Sequence, residues 1–566
     1  MSQIKPFYDQ DYQLLKSHAK SSKQLFCDEK FPANDSSIFR FKNFLGKPVS
    51  WKRPSQIVSD PKFIVNKIDP NDLDQGRVGD CWMIAAASCV LSSPELIERT
   101  IPTNQTFDSS DYAGIFHFRF WVNGEWVDVV VDDLLPVDEN NQLLFCKNLV
   151  EKNEMYGPLL EKAYAKLNIC YEFLIVGYPH DALVDFTGGV NEVYNLKFCR
   201  STASANEFID PNKLWEILYK TVSYGSLSIG TIVQKDGYAI GAVLPNGLVI
   251  SLAYSIMNVF ELIESNGSFD QIRKFGSKKP TEKTIKLLRL RSPFGKNNSY
   301  NGPWSKGTQE WNKLSEKAKK ELNAQFQEDG HFFISYEDFI QNIDFLSICH
   351  VNINGLSNEG NFGETNWELK MFKGEWIVGK NAGGSGNEIN FWTNPQHKFS
   401  IKDSNKSLLV SVSQEGISKK RFQTQGQFTG MHEALGFYIY AIKSGAQADT
   451  DGRYNQSNLT LFNYTKVFKY QKEVSMRLEI QPGDYVIFPC CFIKDKPGSY
   501  VLRIYTQSNS NLEQDDNDNY PGDNVNPVVD ERDLYDRLYY RGMDKNQIEE
   551  INNQAKENVS KACSIM

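Results

Sequence analysis

The sequence predicts an α+β protein in two parts, a mixed helix-and-strand region up to about residue 350 and an antiparallel β-sandwich from there to residue 507. Three observations predict it. Cys81 to Val90 (CWMIAAASCV) is a run of small apolar residues entered from a glycine-containing turn, the pattern of a buried helix. Phe116 to Val131 alternates, first as FHFRFWV and then as WVDVVVDD, as paired strands do. From about residue 355 to 507 the apolar segments are short, alternating and separated by Gly and Asn, with almost no helical period.

Taken in order, residues 1–45 form a polar N-terminal segment with Phe7, Tyr12, Leu14 and Leu15 as a short anchor. Residues 46–200 alternate helix and strand signals, and Tyr156 to Leu167 has apolar residues at helical spacing. Residues 201–350 carry strand patterns at Gly247–Ile256 and Thr284–Arg291, then a polar amphipathic helix pattern over Trp311–Phe326. Residues 351–507 are the sandwich. Residues 508–566 are a polar linker and tail: Gln507 to Asn526 is acidic and Asn-rich, and Asp530 to Lys561 reads as a charged helix broken near Gly542.

Composition narrows the function. The net charge of −8 and the lack of an arginine-rich run argue against a nucleic-acid partner. No apolar run approaches 18 residues, and Met1 to Pro6 has no secretory h-region. The ten cysteines have no CxxC spacing, so they read as reduced cytoplasmic thiols rather than as a zinc site or disulfide framework.

The sharpest motif is Gln75-Gly-Arg-Val-Gly-Asp-Cys81-Trp82. It sets Cys81 at a helix N-terminus, where the dipole favours the thiolate. It also sets Gln75 six residues earlier, able to offer an amide donor to a developing oxyanion. A free cysteine is most often just buried, but the whole string resembles the calpain signature, and the resemblance spans residues 10–507. Trp51-Lys-Arg-Pro54, Glu161-Lys-Ala-Tyr-Ala-Lys166, Asp181 to Gly189, Asn301-Gly-Pro-Trp304 and Gly379 to Pro395 also resemble calpain segments. The resemblance implies a papain-like two-lobed core, with the Cys lobe at 46–200 and the His/Asn lobe at 201–350, followed by a C2-like calpain domain III. No EF-hand loop is present, as in the atypical calpains, so no EF-hand small subunit is expected as a partner.

Two departures bear on mechanism. A papain-type protease needs a histidine to activate the thiol and protonate the leaving amine, and an asparagine to orient it. In calpains the histidine lies in a Gly-His-Ala-Tyr-Ser strand; here the segment is Ser251-Leu252-Ala253-Tyr254-Ser255. The asparagine lies in Arg-Asn-Pro-Trp-Gly; here it is Arg291-Ser292-Pro293-Phe294-Gly295. Leu252 has no titratable group, and losing such a member costs about 10⁴–10⁶-fold in rate. His180 is the one histidine considered as a substitute base.

The resemblance also implies two core calcium sites. Asp72 and Glu161 match ligands of the first. In the second only Asp329 remains, because ligand positions fall on Lys306, on His331 and near Asn298 or Ser299. The expectation is at most one weak Ca2+ site; Asp72 and Glu161 read equally well as ordinary solvated charges. The chain ends Cys563-Ser-Ile-Met566, which fits a C-a-a-X box for farnesylation at Cys563. One lipid chain anchors marginally, so the expected location is cytoplasmic with reversible contact at a membrane face. Two readings follow: a non-proteolytic calpain-like scaffold that holds protein or peptide partners in its cleft, and a calcium-dependent cysteine endopeptidase with an unrecognised base.

Overall fold

The computed structural model describes residues 4–40, 43–200, 209–233, 237–265, 267–273, 283–295, 300–322, 329–351, 366–402, 406–414, 432–508 and 528–529. The chain divides into two compact units, residues 1–121 with 125–363, and residues 122–124 with 364–566.

In the first unit the Cys81–Val90 helix is buried along nearly its whole length. A helix apolar on every side has no solvent face and sits inside. The Tyr156–Leu167 helix is also entirely buried, although it carries Glu161, Lys162 and Lys166. Each lysine is held by a carboxylate: Lys162 Nζ by Asp132, and Lys166 Nζ by Asp28 at 2.6 Å. Lys166 also donates to Gln10 and to the Val130 carbonyl, which ties the N-terminal segment to this helix. That segment forms a helix, Tyr12–Ser22, capped by Asp11. Tyr12 stacks on His117 at 3.8 Å, whereas Leu14 is 72% exposed. Tyr12, Leu15 and Ala19 share one helical face and Leu14 lies off it, so Leu14 is not part of the expected anchor.

The second lobe of this unit is built on an antiparallel sheet. Its strand order is His331–Ser335, Thr284–Arg291, Ala253–Ser265, Leu227–Thr231, Phe345–His350 and Val190–Asn195. Two expectations for this lobe change. The strand expected over Gly247–Ile256 begins only at Ala253, because residues 241–250 fold into a tight turn and Ser251 takes a positive φ of 62°. The helix expected over Trp311–Phe326 is two short helices, Gln309–Asn312 and Glu316–Glu321. Ser315 separates them by capping the second, accepting from the Ala318 N–H at 3.1 Å; residues 323–328 lie outside the described residues.

The second unit is the expected sandwich. One antiparallel sheet runs Asn366–Trp376, Gly498–Ser508, Lys406–Gln414, Glu473–Ile480. The other runs His397–Ile401, Gly483–Cys491, Leu435–Ile442, Leu459–Tyr464. Leu408, Val410 and Val412 face Phe437, Ile439 and Ile487 in one core. The two-residue period of a strand puts these alternate residues on one face. The helix expected over Asp530–Lys561 lies outside the described residues.

Candidate functional site

Cys81 opens its helix directly after Asp80, and its side chain is partly exposed. The approach loop is packed so closely that Gly76 must be glycine: a Cβ there would lie 2.2 Å from the Phe145 carbonyl oxygen. Behind the cysteine, the Trp82 indole N–H donates to Leu174 O at 2.8 Å and fixes the first turn.

The second lobe meets the thiol with backbone and aliphatic groups. Cys81 Sγ lies 3.6 Å from the Ser251 carbonyl, and the Ala253 N–H points at it. Leu252, between them, is 3% exposed and sits in an apolar cluster with Ile232, Leu248 and Tyr254. Cys81 and Phe294 pack against that same cluster. The Gln75 N–H donates to Pro293 O at 3.0 Å, which draws the 291–295 turn to the cysteine loop. Ser292 is buried, and its Oγ accepts from the Phe294 N–H at 3.3 Å within its own turn. The 251–253 segment therefore reaches Cys81 and the 291–295 turn reaches its approach loop, with a hydrocarbon at 252 and a hydroxyl at 292.

The surroundings of the thiol oppose the helix dipole. Burial pushes the Cys81 thiol up to about 12; the Ala253 N–H offsets this partly and the Asp80 carboxylate adds to it. The partial charge of a helix end is smaller than the cost of drying a thiolate beside a carboxylate. At pH 7 the protonated thiol is then the dominant form. Alkylation of Cys81 by iodoacetamide, followed by peptide mass spectrometry, is expected to be negligible at neutral pH. Its rate should climb about tenfold per pH unit through pH 9; a rate already at its plateau near pH 7 would contradict this.

Gln75 is also placed differently from expectation. Its side-chain amide donates to Val78 O at 3.0 Å, inside its own loop. His180 lies buried on the Pro179–Thr187 helix with its ring stacked on Tyr178.

The implied calcium ligands do not share an environment. Glu161 accepts the Cys146 N–H with both oxygens at 3.0 Å and faces the Asp80 carboxyl, deep under the cysteine helix. Asp72 accepts instead from Tyr156 Oη at 2.7 Å, from the Asp69 N–H at 2.7 Å and from Asn148 Nδ2 at 3.1 Å. The carboxylate sharing Asn148 with Asp72 is Glu154, which burial raises to about 7. Asp329 accepts the His331 N–H at 3.1 Å and lies in the field of Arg289 and Arg291. Burial and those two arginines push His331 down to about 2, so its imidazole is neutral. Lys306 is exposed, and residues 298 and 299 lie outside the described residues. Among the described residues no three His, Cys, Asp or Glu side chains converge as a metal-binding group. Calcium needs six to eight oxygen acceptors, and these carboxylates are already taken by donors or by one another.

Asp80 and Glu161 face each other as a carboxyl pair under the cysteine helix. Both carboxyls are buried, and burial raises Asp80 to about 7 and Glu161 well above its usual range. Two carboxyls this close cannot both ionise cheaply, so they share a proton. Asp80 holds its proton more tightly folded than unfolded, where the value is about 3.9. Its contribution to stability is therefore complete below about pH 4 and is lost as pH rises through about 7. Urea unfolding at about pH 5 and about pH 8 should show a fall of a few kcal/mol in the wild type. The fall should be clearly smaller in Asp80→Asn.

The comparisons fit this geometry. The family described as "Calpain family cysteine protease" matches residues 26–350. "Calpain large subunit, domain III" matches residues 372–505. The chain belongs to the calpain family. Calpain-A of Drosophila melanogaster is 33% identical over 533 residues, covering 91% of this chain and 60% of that protein. Calpain-B of the same species is 32% identical, covering 90% and 52%. Calpain-5 of Mus musculus is 34% identical, covering 90% and 77%. The chain thus spans little more than half the length of the two Drosophila calpains. Its calpain protease core holds the Cys81 site, and its domain III is the sandwich. Cys563 lies outside the described residues, so its lipidation stays an expectation from sequence.

A buried arginine of this calpain core reaches the cysteine helix. Arg291 is 1% exposed, and Nη1 donates to Ser88 Oγ on the cysteine helix at 2.9 Å. The signal was present, since an arginine inside an apolar strand pattern (TIKLLRLR) is a buried cation that needs partners.

Proposed function

We propose that this calpain-family chain is a non-proteolytic protein that holds peptide segments of protein partners in its cleft, as a regulatory or scaffold component. The observation that carries the reading is the surroundings of Cys81. The thiol meets backbone groups of Ser251 and Ala253 and the Asp80 carboxylate, with Leu252 where a base would stand. Amide hydrolysis needs a group that takes the thiol proton and returns it to the leaving nitrogen, and leucine does neither. Ser292 keeps a hydroxyl, but it is used inside its own turn. The second lobe still meets the cysteine segment through Ser251 and Pro293, which supports a binding role kept without the chemistry.

The test is hydrolysis of casein and of a fluorogenic peptide, with calcium, by the full chain and by Cys81→Ala. Equal background rates are expected. A rate that the substitution abolishes would establish the endopeptidase reading instead.

A further inference from the structure

We infer that the sandwich carries a strand-docking edge at Lys466–Phe468, and that the chain's own Val528–Val529 fills it as an intramolecular strap that closes the edge to strands of other chains. The inference does not depend on the state of Cys81.

The edge arises from a mismatch in the second sheet of the sandwich. Leu459–Tyr464 pairs antiparallel with Leu435–Ile442 as far as Tyr464 opposite Tyr438. The Thr465 N–H then donates to Phe437 O at 2.9 Å, and pairing resumes where the Leu435 N–H donates to Lys469 O at 3.0 Å. Lys466, Val467 and Phe468 therefore stand against Gly436 alone, and the surplus residues bulge out of the ladder. Phe468 turns inward, where it is buried and its ring lies 5.4 Å from that of Phe492. It sits so close over Gly436 that a Cβ there would fall 2.5 Å from the ring. Val467 turns outward and is exposed, as the alternation of a strand requires. A bulged segment at a sheet margin offers backbone donors and acceptors to any extended chain that reaches it.

The chain that reaches it is a remote part of the same molecule. Val528 pairs parallel with Val467, and Val529 with Phe468. In sequence these are adjacent β-branched residues inside a polar, acidic tail, set between Pro527 and Asp530-Glu531. Proline cannot donate to a ladder and is tolerated at the start of a strand, so the strap is bounded on that side. So short a parallel pair is weak by itself. Residues 509–527 join it covalently to the sandwich, and a short linker supplies an effective concentration on the order of millimolar. A strand on another chain at cellular concentration competes poorly against that. Main-chain pairing at a sheet edge is a general mode of peptide capture; the partner that fits this edge is an extended apolar segment, and the strap decides whether the edge is open.

Hydrogen exchange on the full chain, read by mass spectrometry, tests this with Val528→Pro combined with Val529→Pro, which removes two backbone donors from the strap. Exchange over residues 465–469 is expected to rise at least about tenfold, while the central strand Gly483–Cys491 of the same sheet stays unchanged. A synthetic peptide of residues 524–533, at about a millimolar, should restore protection in the variant and leave the wild type as it was. The same peptide carrying Val528→Pro and Val529→Pro should restore nothing. Sedimentation of the wild type should give a mass independent of concentration. Unchanged exchange in the variant, no restoration by the peptide, or equal restoration by its proline form would overturn the inference. A concentration-dependent dimer that the proline variant dissociates would assign the strap to a second copy and overturn it as well.

Discussion

Leu252→His combined with Ser292→Asn is expected to raise peptide hydrolysis by about 10²–10⁴-fold over the starting protein, the range that a positioned general acid–base supplies. The position is right for it. Residue 252 lies between Ser251, whose carbonyl is 3.6 Å from the thiol, and Ala253, whose N–H points at the same sulfur. Its backbone is held by the Ile232 N–H, which donates to Leu252 O at 3.0 Å. An imidazole there would replace hydrocarbon in an apolar cluster, so it needs a hydrogen-bond partner for its second nitrogen. Ser292→Asn supplies that amide from the adjacent turn. The single Leu252→His change should therefore gain much less and lose stability. The check is kcat/KM on a fluorogenic peptide for both variants, with and without Cys81→Ala. A double variant no faster than the parent would show that residue 252 is not where the base belongs.

Lys166→Ala is expected to cost about 3–5 kcal/mol, because it strands the Asp28 carboxylate away from water without its partner. Lys166 is 1% exposed and Asp28 2%. The pair also carries the Gln10 side chain and the Val130 carbonyl, so its loss releases the N-terminal segment from the Tyr156–Leu167 helix. Urea unfolding followed by tryptophan fluorescence measures the loss. Lys166→Met with Asp28→Leu should recover most of it, since removing both charges removes the stranded one. A single variant as stable as the parent would mean that water reaches Asp28.

Much of the fold was legible because it rests on period and composition. The small-residue run after Asp80 had to be a buried helix, and the alternating segments after residue 355 had to be strands. The approach of the Leu252 segment to Cys81, and of the Ser292 turn to the loop before it, was legible from the motifs around them. Less legible were features decided by a neighbour distant in the chain. Glu161 reads as a calcium ligand in a helix pattern and becomes the partner of Asp80 only when that helix packs under the cysteine helix. The Trp311–Phe326 period is helical throughout, yet Ser315 is used as a cap and splits it.

Cys81 shows where the division falls. The sequence by itself determined that the residue is a cysteine at a helix start and that no histidine follows at 252 or asparagine at 292, because identity and order are properties of the chain. Only the tertiary structure decided the state of the thiol. Burial beside Asp80 raises its pKa to about 12, against the lowering expected of a helix N-terminus. The reason is that dehydration depends on which groups surround the sulfur: Asp80 is its neighbour in sequence, but the backbone of Ser251 and Ala253 closes over it from about 170 positions further along the chain.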